Sequence, residues 1–226
     1  MGSVLEAFGI SLPLALAIAA SPGAIIAMLI MLMTRRSIKN SYAFLAGWFF
    51  GLMLIGMLFL SRPGLYDSTG EPSLTQGWIK VVIGAAVFIT GLSMLKKISN
   101  KEDREAPPKW ARKVDSFGFI TALITGFFFA APNIKNASMV IASAATIGNS
   151  DLSSTQEWSV LILFCLVASI GVLMPPVIFL MNRGKTEALF GKMKIWMTRY
   201  RTFILFAICI FFGGLFIYQG IHIVLT

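Results

Sequence analysis

The polar residues that could do chemistry are concentrated in one stretch near the middle of the sequence. The run FFFAAPNIKNAS begins at Phe127. It places four polar or helix-breaking residues inside a long apolar segment: Pro132, Asn133, Lys135 and Asn136. A charged side chain at the centre of a bilayer costs at least about 2.5–3.5 kcal/mol, so such residues usually mark a functional site. We therefore predict that this stretch forms half of a solute-binding site.

Lys135 has no obvious carboxylate partner, because none of the ten acidic residues lies inside an apolar segment. Three interpretations remain open. The side chain could reach out to a membrane interface, it could be neutral and carry protons, or it could stay charged and hold an anionic group of a cargo. Asn133 and Asn136 could hydrogen-bond the anionic group of the cargo, or they could bond to backbone groups that lose their partners where the helix is interrupted.

Three apolar segments contain proline at positions where a helix would be interrupted. Proline removes a backbone donor, and in lipid the freed carbonyls need other partners. Half-helix ends that face a cavity can bind ions or polar groups, whereas a tolerated kink is the alternative for any single proline. With Lys135 and Asn136, the predicted substrate-binding residues are Ser21, Pro22, Gly23, Pro132, Asn133, Pro175 and Pro176.

Composition indicates an integral membrane protein. Of the 226 residues, 57% are hydrophobic and 13% charged, against roughly 25% charged in soluble domains. The net charge of +9 could suggest nucleic acid. However, Lys and Arg cluster in short loops between apolar runs, so we expect membrane lipids and no nucleic acid as partners. Cys165 and Cys209 match no metal spacing, and no metal or cofactor is expected.

Six apolar runs are each long enough to cross about 30 Å of hydrocarbon. Lipid offers no hydrogen-bond partners to the backbone of an open strand, so these runs are predicted to be helices. The predicted runs are Ala7–Met33, Ser41–Ser61, Trp78–Leu95, Ser116–Ile147, Trp158–Met181 and Thr202–Leu225. The first run has no basic residues before it and is too long for a signal peptide, so we expect a retained helix.

The loops predict the orientation and an internal repeat. The first, third and fifth loops carry most of the 19 basic residues, which predicts that they are cytoplasmic and that both termini face outward. The predicted division is a three-helix half over residues 1–98, a cytoplasmic linker over 99–115 and a second half over 116–226. Halves with three crossings each have opposite orientations, as in inverted repeats. The expected fold is therefore all-α, with six transmembrane helices in two inverted repeats and breaks in helices one and four.

Two further patterns leave alternatives open. Gly47 and Gly51 form a GxxxG pattern, which permits close packing within one chain or in a homodimer. The segment from Lys185 to Arg201 has apolar residues at helical spacing between basic ones. It is either an interfacial amphipathic helix or a basic loop.

The order of these motifs resembles a known family. A Ser21-Pro22-Gly23 break, an Arg35-Arg36 turn, the Gly47–Gly51 helix and the Pro132-Asn133-Ile134-Lys135-Asn136 stretch are similar to the GAP (SfLAP-like, lipid-addressing) family of the LysE-type exporter superfamily. The superfamily is typified by an Asn-Pro-Lys motif in helix four, and this chain has a different order there. The resemblance covers nearly the whole chain.

The resemblance implies export of a cargo from the cell. GAP-type members are associated with moving glycolipids to the surface, and other relatives move amino acids, metal cations or reducing equivalents. Electron-carrying relatives use cysteines beside the prolines of helices one and four. At those positions, before Pro22 and Pro132, this chain has Ser21 and Ala131. Metal export usually needs intramembrane carboxylates. Both activities are disfavoured here.

We therefore expect a non-enzymatic exporter in the bacterial inner membrane. Its cargo would be a small anionic or amphipathic molecule, either lipid-linked or amino-acid-like, with Lys135 as the counter-charge. Enzyme activity is not expected, because the membrane part lacks a convincing nucleophile with its base, carboxylate pair or metal ligands. The alternative is a non-catalytic accessory protein of an envelope lipid export machine.

Overall fold

A computed structural model describes residues 4–34, 37–61, 74–95, 98, 114, 116–181 and 186–225. Within these ranges the chain forms nine α-helices and no strands. They are α1 Val4–Ala19, α2 Pro22–Leu32, α3 Ser37–Leu60, α4 Leu74–Ser93, α5 Phe119–Ala130, α6 Ile134–Gly148, α7 Ser154–Ala168, α8 Ile170–Met181 and α9 Thr186–Leu225. Only Val114 of the predicted linker 99–115 is described, and most of the basic loop residues lie outside the described ranges.

The helices support a membrane protein but give a smaller number of clear spans than six. In the described residues, two helical stretches are long and apolar enough to cross a membrane, Ile38–Leu60 and Ala188–Leu225. The number rises to four if each of the bent pairs α1–α2 and α7–α8 counts as one span. The apolar helices Gly77–Ser93 and Phe119–Ala130 are shorter.

The first predicted break is present at the junction of α1 and α2, which meet at a bend of 53°. Ser21 has an extended backbone, with φ −89° and ψ 96°, and precedes Pro22 at the first position of α2. Proline suits that position because its missing N–H would have no partner inside the helix. All residues of α2 from Ala24 to Leu32 are buried, so α2 is the central element of the core.

The prediction of a third break at Pro175 and Pro176 is wrong in position. Both prolines are buried inside α8, and the bend of 57° lies between α7 and α8, at Ser169. Prolines at 175 and 176 withdraw the donors that would pair with the carbonyls of Gly171 and Val172, and their rings crowd that preceding turn. The distortion is taken up upstream, where serine and glycine bend easily.

Two seams of glycine hold the helices together at backbone distance. In the α3–α5 seam, a Cβ at Gly47 would collide with the carbonyl oxygen of Leu123, and one at Gly126 with that of Phe44. The GxxxG pattern therefore packs within the protomer, against α5. In the α4–α9 seam, a Cβ at Gly84 would lie 2.9 Å from the Gly213 carbonyl oxygen.

The largest sets of helix contacts join the first half of the sequence to the second. α3 packs mainly on α5, α1 on α7 and α4 on α9. One continuous apolar core joins buried residues of both halves.

The basic segment after residue 185 is helical, so its interpretation as a loop is wrong. Residues 186–200 continue without a break into the last apolar segment as α9. Phe190 is buried and stacks on Phe179 of α8, with ring centroids 6.2 Å apart. At 1.5 Å per residue, 40 residues span about 60 Å, twice the hydrocarbon thickness.

Candidate functional site

The break between α5 and α6 is shaped by its own residues. Ala131 and Pro132 form a turn, and Asn133 precedes α6 with an extended backbone. The Asn133 side-chain oxygen accepts a hydrogen bond from the backbone N–H of Lys135, at 3.1 Å. This is an ordinary helix N-cap, which satisfies one of the donors left free at the start of a helix.

Lys135 crosses from the start of α6 to the end of α1. Its Nζ donates to the backbone oxygen of Ala17 at 2.8 Å and to the hydroxyl oxygen of Ser21 at 2.9 Å. Ala17 is in the last turn of α1, where carbonyls have no partner within the helix and the helix dipole favours a cation. The first contribution of Lys135 is therefore to cap a half-helix inside the bundle.

Most backbone carbonyls in the last turn of α1 accept a hydrogen bond. The Leu16 oxygen accepts from Ala20 N at 3.0 Å, and the Ile18 oxygen accepts from the Ser21 hydroxyl at 2.6 Å. The Ala19 oxygen lies against Gly171 of α8, where any Cβ would collide with it. Buried backbone groups rarely go unpaired, and here the pairing ties α1 to the break.

Asn136 connects the same cluster to the end of α5. Its Nδ2 donates to the backbone oxygen of Phe129, and its Oδ1 lies near the Ser21 hydroxyl, both at 3.3 Å. A Cβ at Gly23 would lie 3.4 Å from the Phe129 ring. The structure thus brings the break of Ser21-Pro22-Gly23 into contact with the break that contains Asn133.

The cluster is closed in this conformation. Lys135 is 3% exposed, Asn136 0% and Ser21 5%. The interpretation that Lys135 reaches out to an interface is therefore wrong, because its amine points inward to α1. A cargo could meet this amine only if the contact between α1 and α6 opened.

The remaining predicted site residues lie at the edge of the cluster or away from it. Pro132 is exposed, in the turn before Asn133. Pro176 lines a small space with Leu32 at the far end of α2, ten residues or about 15 Å along the helix from the break. Pro176 is thus separate from the Lys135 cluster, and Pro175 is buried next to Pro176 in α8.

Sequence reasoning missed the groups that receive these hydrogen bonds. The acceptors at Ala17 and Phe129 are backbone carbonyls, and every residue type has a backbone carbonyl, so the residue type gives no sign of them. The only available signal was position, because both residues lie within a few positions before a break.

Two buried hydroxyls on the helices of this arrangement have no hydrogen-bond partner within the described part of the chain. They belong to Ser11 of α1 and Ser143 of α6, and α1 packs against α6. Native proteins leave few buried polar groups without a partner. The hydroxyls of Ser11 and Ser143 are therefore free to bind another polar group between α1 and α6.

Among the described residues, no group of three or more His, Cys, Asp or Glu side chains could hold a metal ion. Cys165 and Cys209 are free and buried, in α7 and α9. The expectation of no metal or cofactor stays a prediction.

Comparison with known families gives a match over most of the chain. The model of the family described as Sap, sulfolipid-1-addressing protein (SfLAP) matches residues 12–222. The chain belongs to this family. The match spans both helix breaks and nearly all of the described helices, and it associates this helical membrane protein with sulfolipid addressing. No curated protein and no solved structure gave a significant match.

Proposed function

We propose that this SfLAP-family chain is a transporter that moves an anionic, amphipathic lipid across the bacterial inner membrane. The observation that carries the proposal is the Lys135 amine, which is buried between two interrupted helices and held by a carbonyl and a hydroxyl. A sulfate or phosphate oxygen is a stronger acceptor than either group. A cargo could therefore take over the amine and release α6 from α1.

The proposed architecture is six spans in two inverted repeats, as in the LysE-type superfamily. Exchanging the halves would map α1–α2 onto α5–α6, α3 onto α7–α8, and α4 onto α9. The observed contacts between helices have counterparts after this exchange. The contact of α3 with α5 corresponds to that of α7 with α1, and the contact of α3 with α6 corresponds to that of α8 with α2. The contact of α9 with α2 corresponds to that of α4 with α6. Such contact pairs support a two-fold repeat around a central site, and three crossings in each half would make that repeat inverted.

The proposed topology has both termini outside. The end of α2, the start of α3 and the end of α8 share one end of the bundle. The end of α3, the start of α4 and the end of α6 share another region, with α9. The first region adjoins the basic first and fifth loops, so the positive-inside rule supports a cytoplasmic location for it.

The proposed cargo is a sulfated glycolipid. The family is named for sulfolipid-1 addressing, and a sulfate ester supplies the anionic group that Lys135 would bind. We propose transport without chemical conversion of the cargo.

The test is transport by the purified full-length chain in vesicles. A fluorescent sulfated galactosylceramide would be placed in the inner leaflet, and its arrival in the outer leaflet followed with a membrane-impermeant quencher. We expect transfer above the protein-free rate, and faster transfer than for unsulfated galactosylceramide. Protein-free rates for both lipids would contradict the proposal and favour an accessory protein that acts only within a larger machine.

A further inference from the structure

A groove at the end of the bundle opposite the basic helix ends lies between α3, α4, α6 and α9. It is narrow, with a cavity volume of about 60 Å³. Its walls are mainly aliphatic and aromatic, with Phe59, Ile83, Ile141 and Phe216 among the lining residues. A surface of this kind suits an acyl chain.

A second, more polar hollow adjoins the groove at Lys80. This open basin has a volume of about 330 Å³, within the range of about 300–1,000 Å³ typical of small-ligand sites. It is lined by Lys80, Tyr218, Gln219, His222 and Ile223. Lys80 also lines the groove. Apolar and polar spaces joined at one cation match the shape of a lipid, in which acyl chains and a polar headgroup meet at a charged ester.

Among the described residues, nothing compensates the charge of Lys80. It makes no ion pair or hydrogen bond among the described residues. The other described Lys and Arg residues apart from Lys135 lie at the start of α3 or in the first half of α9, near the basic loops: Lys39, Lys192, Lys194, Arg199 and Arg201. An anionic group is therefore the complementary partner for Lys80.

Neighbouring aromatic residues indicate the depth of Lys80 in the membrane. Trp78 is 57% exposed and Tyr218 is 69% exposed, and both ring types are enriched at membrane interfaces. Lys80 lies six residues, or about 9 Å, after the start of α4 at Leu74. It is thus placed at headgroup level, with the groove extending toward the hydrocarbon.

We propose that the groove and basin bind one lipid with an anionic ester headgroup. Its acyl chain lies along the narrow groove, its sulfate or phosphate contacts Lys80, and its headgroup hydroxyls face Tyr218, Gln219 and His222 in the basin. This site is separate from the Lys135 cluster. The two sites share α6, since Ile141 is six residues or about 9 Å beyond Lys135.

The assignment rests on the proposed transport of an anionic lipid and adds a second contact site for it. Under the proposed topology the groove opens toward the outer face. A cargo that leaves Lys135 along α6 therefore meets Lys80 before it enters the outer leaflet.

Native mass spectrometry of the purified full-length protein tests lipid retention without any transport step. The probes are sulfated and unsulfated galactosylceramide, and phosphatidylglycerol and phosphatidylcholine with identical chains. We expect the anionic member of at least one pair to be retained about tenfold better, as one charge-assisted hydrogen bond would give. Preference for the sulfated lipid alone identifies a cargo-like ligand, and equal preference for both anionic lipids identifies a general anionic-lipid site.

Two variants, each with a control variant, locate the site. Lys80→Met should abolish the anionic preference, whereas Lys192→Met, at an exposed position of α9, should retain it. Ala145→Leu, which narrows the groove, should reduce retention of all four lipids, whereas Ala207→Leu on the exposed face of α9 should not.

Equal retention of charged and uncharged lipids, or an unchanged preference in Lys80→Met, would overturn the assignment. Each variant is compared only as a monodisperse protein. Because retention and transport are measured separately, normal retention with no transport would contradict only the proposed function. Transport with no anionic preference in retention would contradict only this site.

Discussion

At the scale of single residues, the site is a set of helix caps made by side chains of the second break. Lys135 caps α1, Asn136 caps α5, and Asn133 caps α6. Interrupted helices in lipid need such partners because no water replaces the lost backbone bonds. The residues that would meet a cargo are therefore the residues that now hold the breaks closed.

The cap at Asn133 can be tested by removing its acceptor. Asn133→Ala should destabilise the protein by about 0.5–2 kcal/mol, the usual cost of losing an N-cap side chain. The measurement is the melting temperature in detergent. Asn133→Ser is the matched control, because its hydroxyl can accept the same hydrogen bond from Lys135 N. Equal melting of the alanine variant and the wild type would show that this cap contributes nothing.

The sequence could predict which residues form this site but not how they are used. Lys135 was conspicuous because it lies in an apolar run without an acid nearby. Its partners were hidden, because carbonyls become acceptors only where the chain breaks. The closed state also could not be predicted, since it depends on how α6 packs against α1.

At the scale of elements, close packing depends on glycine positions spaced by seven residues on α4 and α9. Gly77 faces Gly220 and Gly84 faces Gly213, so the two helices run antiparallel at backbone contact. Small residues allow this approach in membranes, where packing rather than the hydrophobic effect joins helices.

In the α4–α9 seam, two neighbouring glycines are expected to respond differently to substitution by alanine. A Cβ at Gly213 would lie 2.7 Å from the backbone N of Phe88, whereas one at Gly214 would meet nothing nearer than 4.0 Å. Gly213→Ala should therefore destabilise by about 1–3 kcal/mol through overpacking, and Gly214→Ala should be neutral or slightly stabilising. Thermal melting of both variants in detergent measures the difference, and identical melting would refute close contact at this seam.

Element boundaries were predictable where the cause was local. Proline at the first position of a helix placed the α1–α2 break correctly, because Pro22 follows Ser21 in extended backbone. The α7–α8 bend was predicted at Pro175 but lies at Ser169, because a proline inside a helix distorts the turn before it. The partner of the GxxxG pattern was not predictable, since either α5 or a second copy satisfies the same spacing.

At the scale of the whole molecule, the proposed topology predicts which side each loop faces. Cysteine substitutions would be made in a background with Cys165 and Cys209 replaced by alanine. We expect Asp151→Cys, in the exposed connection before α7, to react with a membrane-impermeant maleimide in intact cells. Lys192→Cys should react only after the cells are permeabilised. The reverse pattern would contradict the orientation.

The central claim is that an anionic cargo is moved by way of Lys135, and transport by a Lys135 variant tests it most directly. Lys135→Ala would be compared with wild type and with Lys192→Ala in the vesicle assay, at matched amounts of monodisperse protein. Loss of a charge-assisted hydrogen bond worth about 1.5–3 kcal/mol predicts transfer of the sulfated glycolipid slowed by roughly tenfold to a hundredfold, with Lys192→Ala at the wild-type rate. Transfer by Lys135→Ala at the wild-type rate would contradict the account.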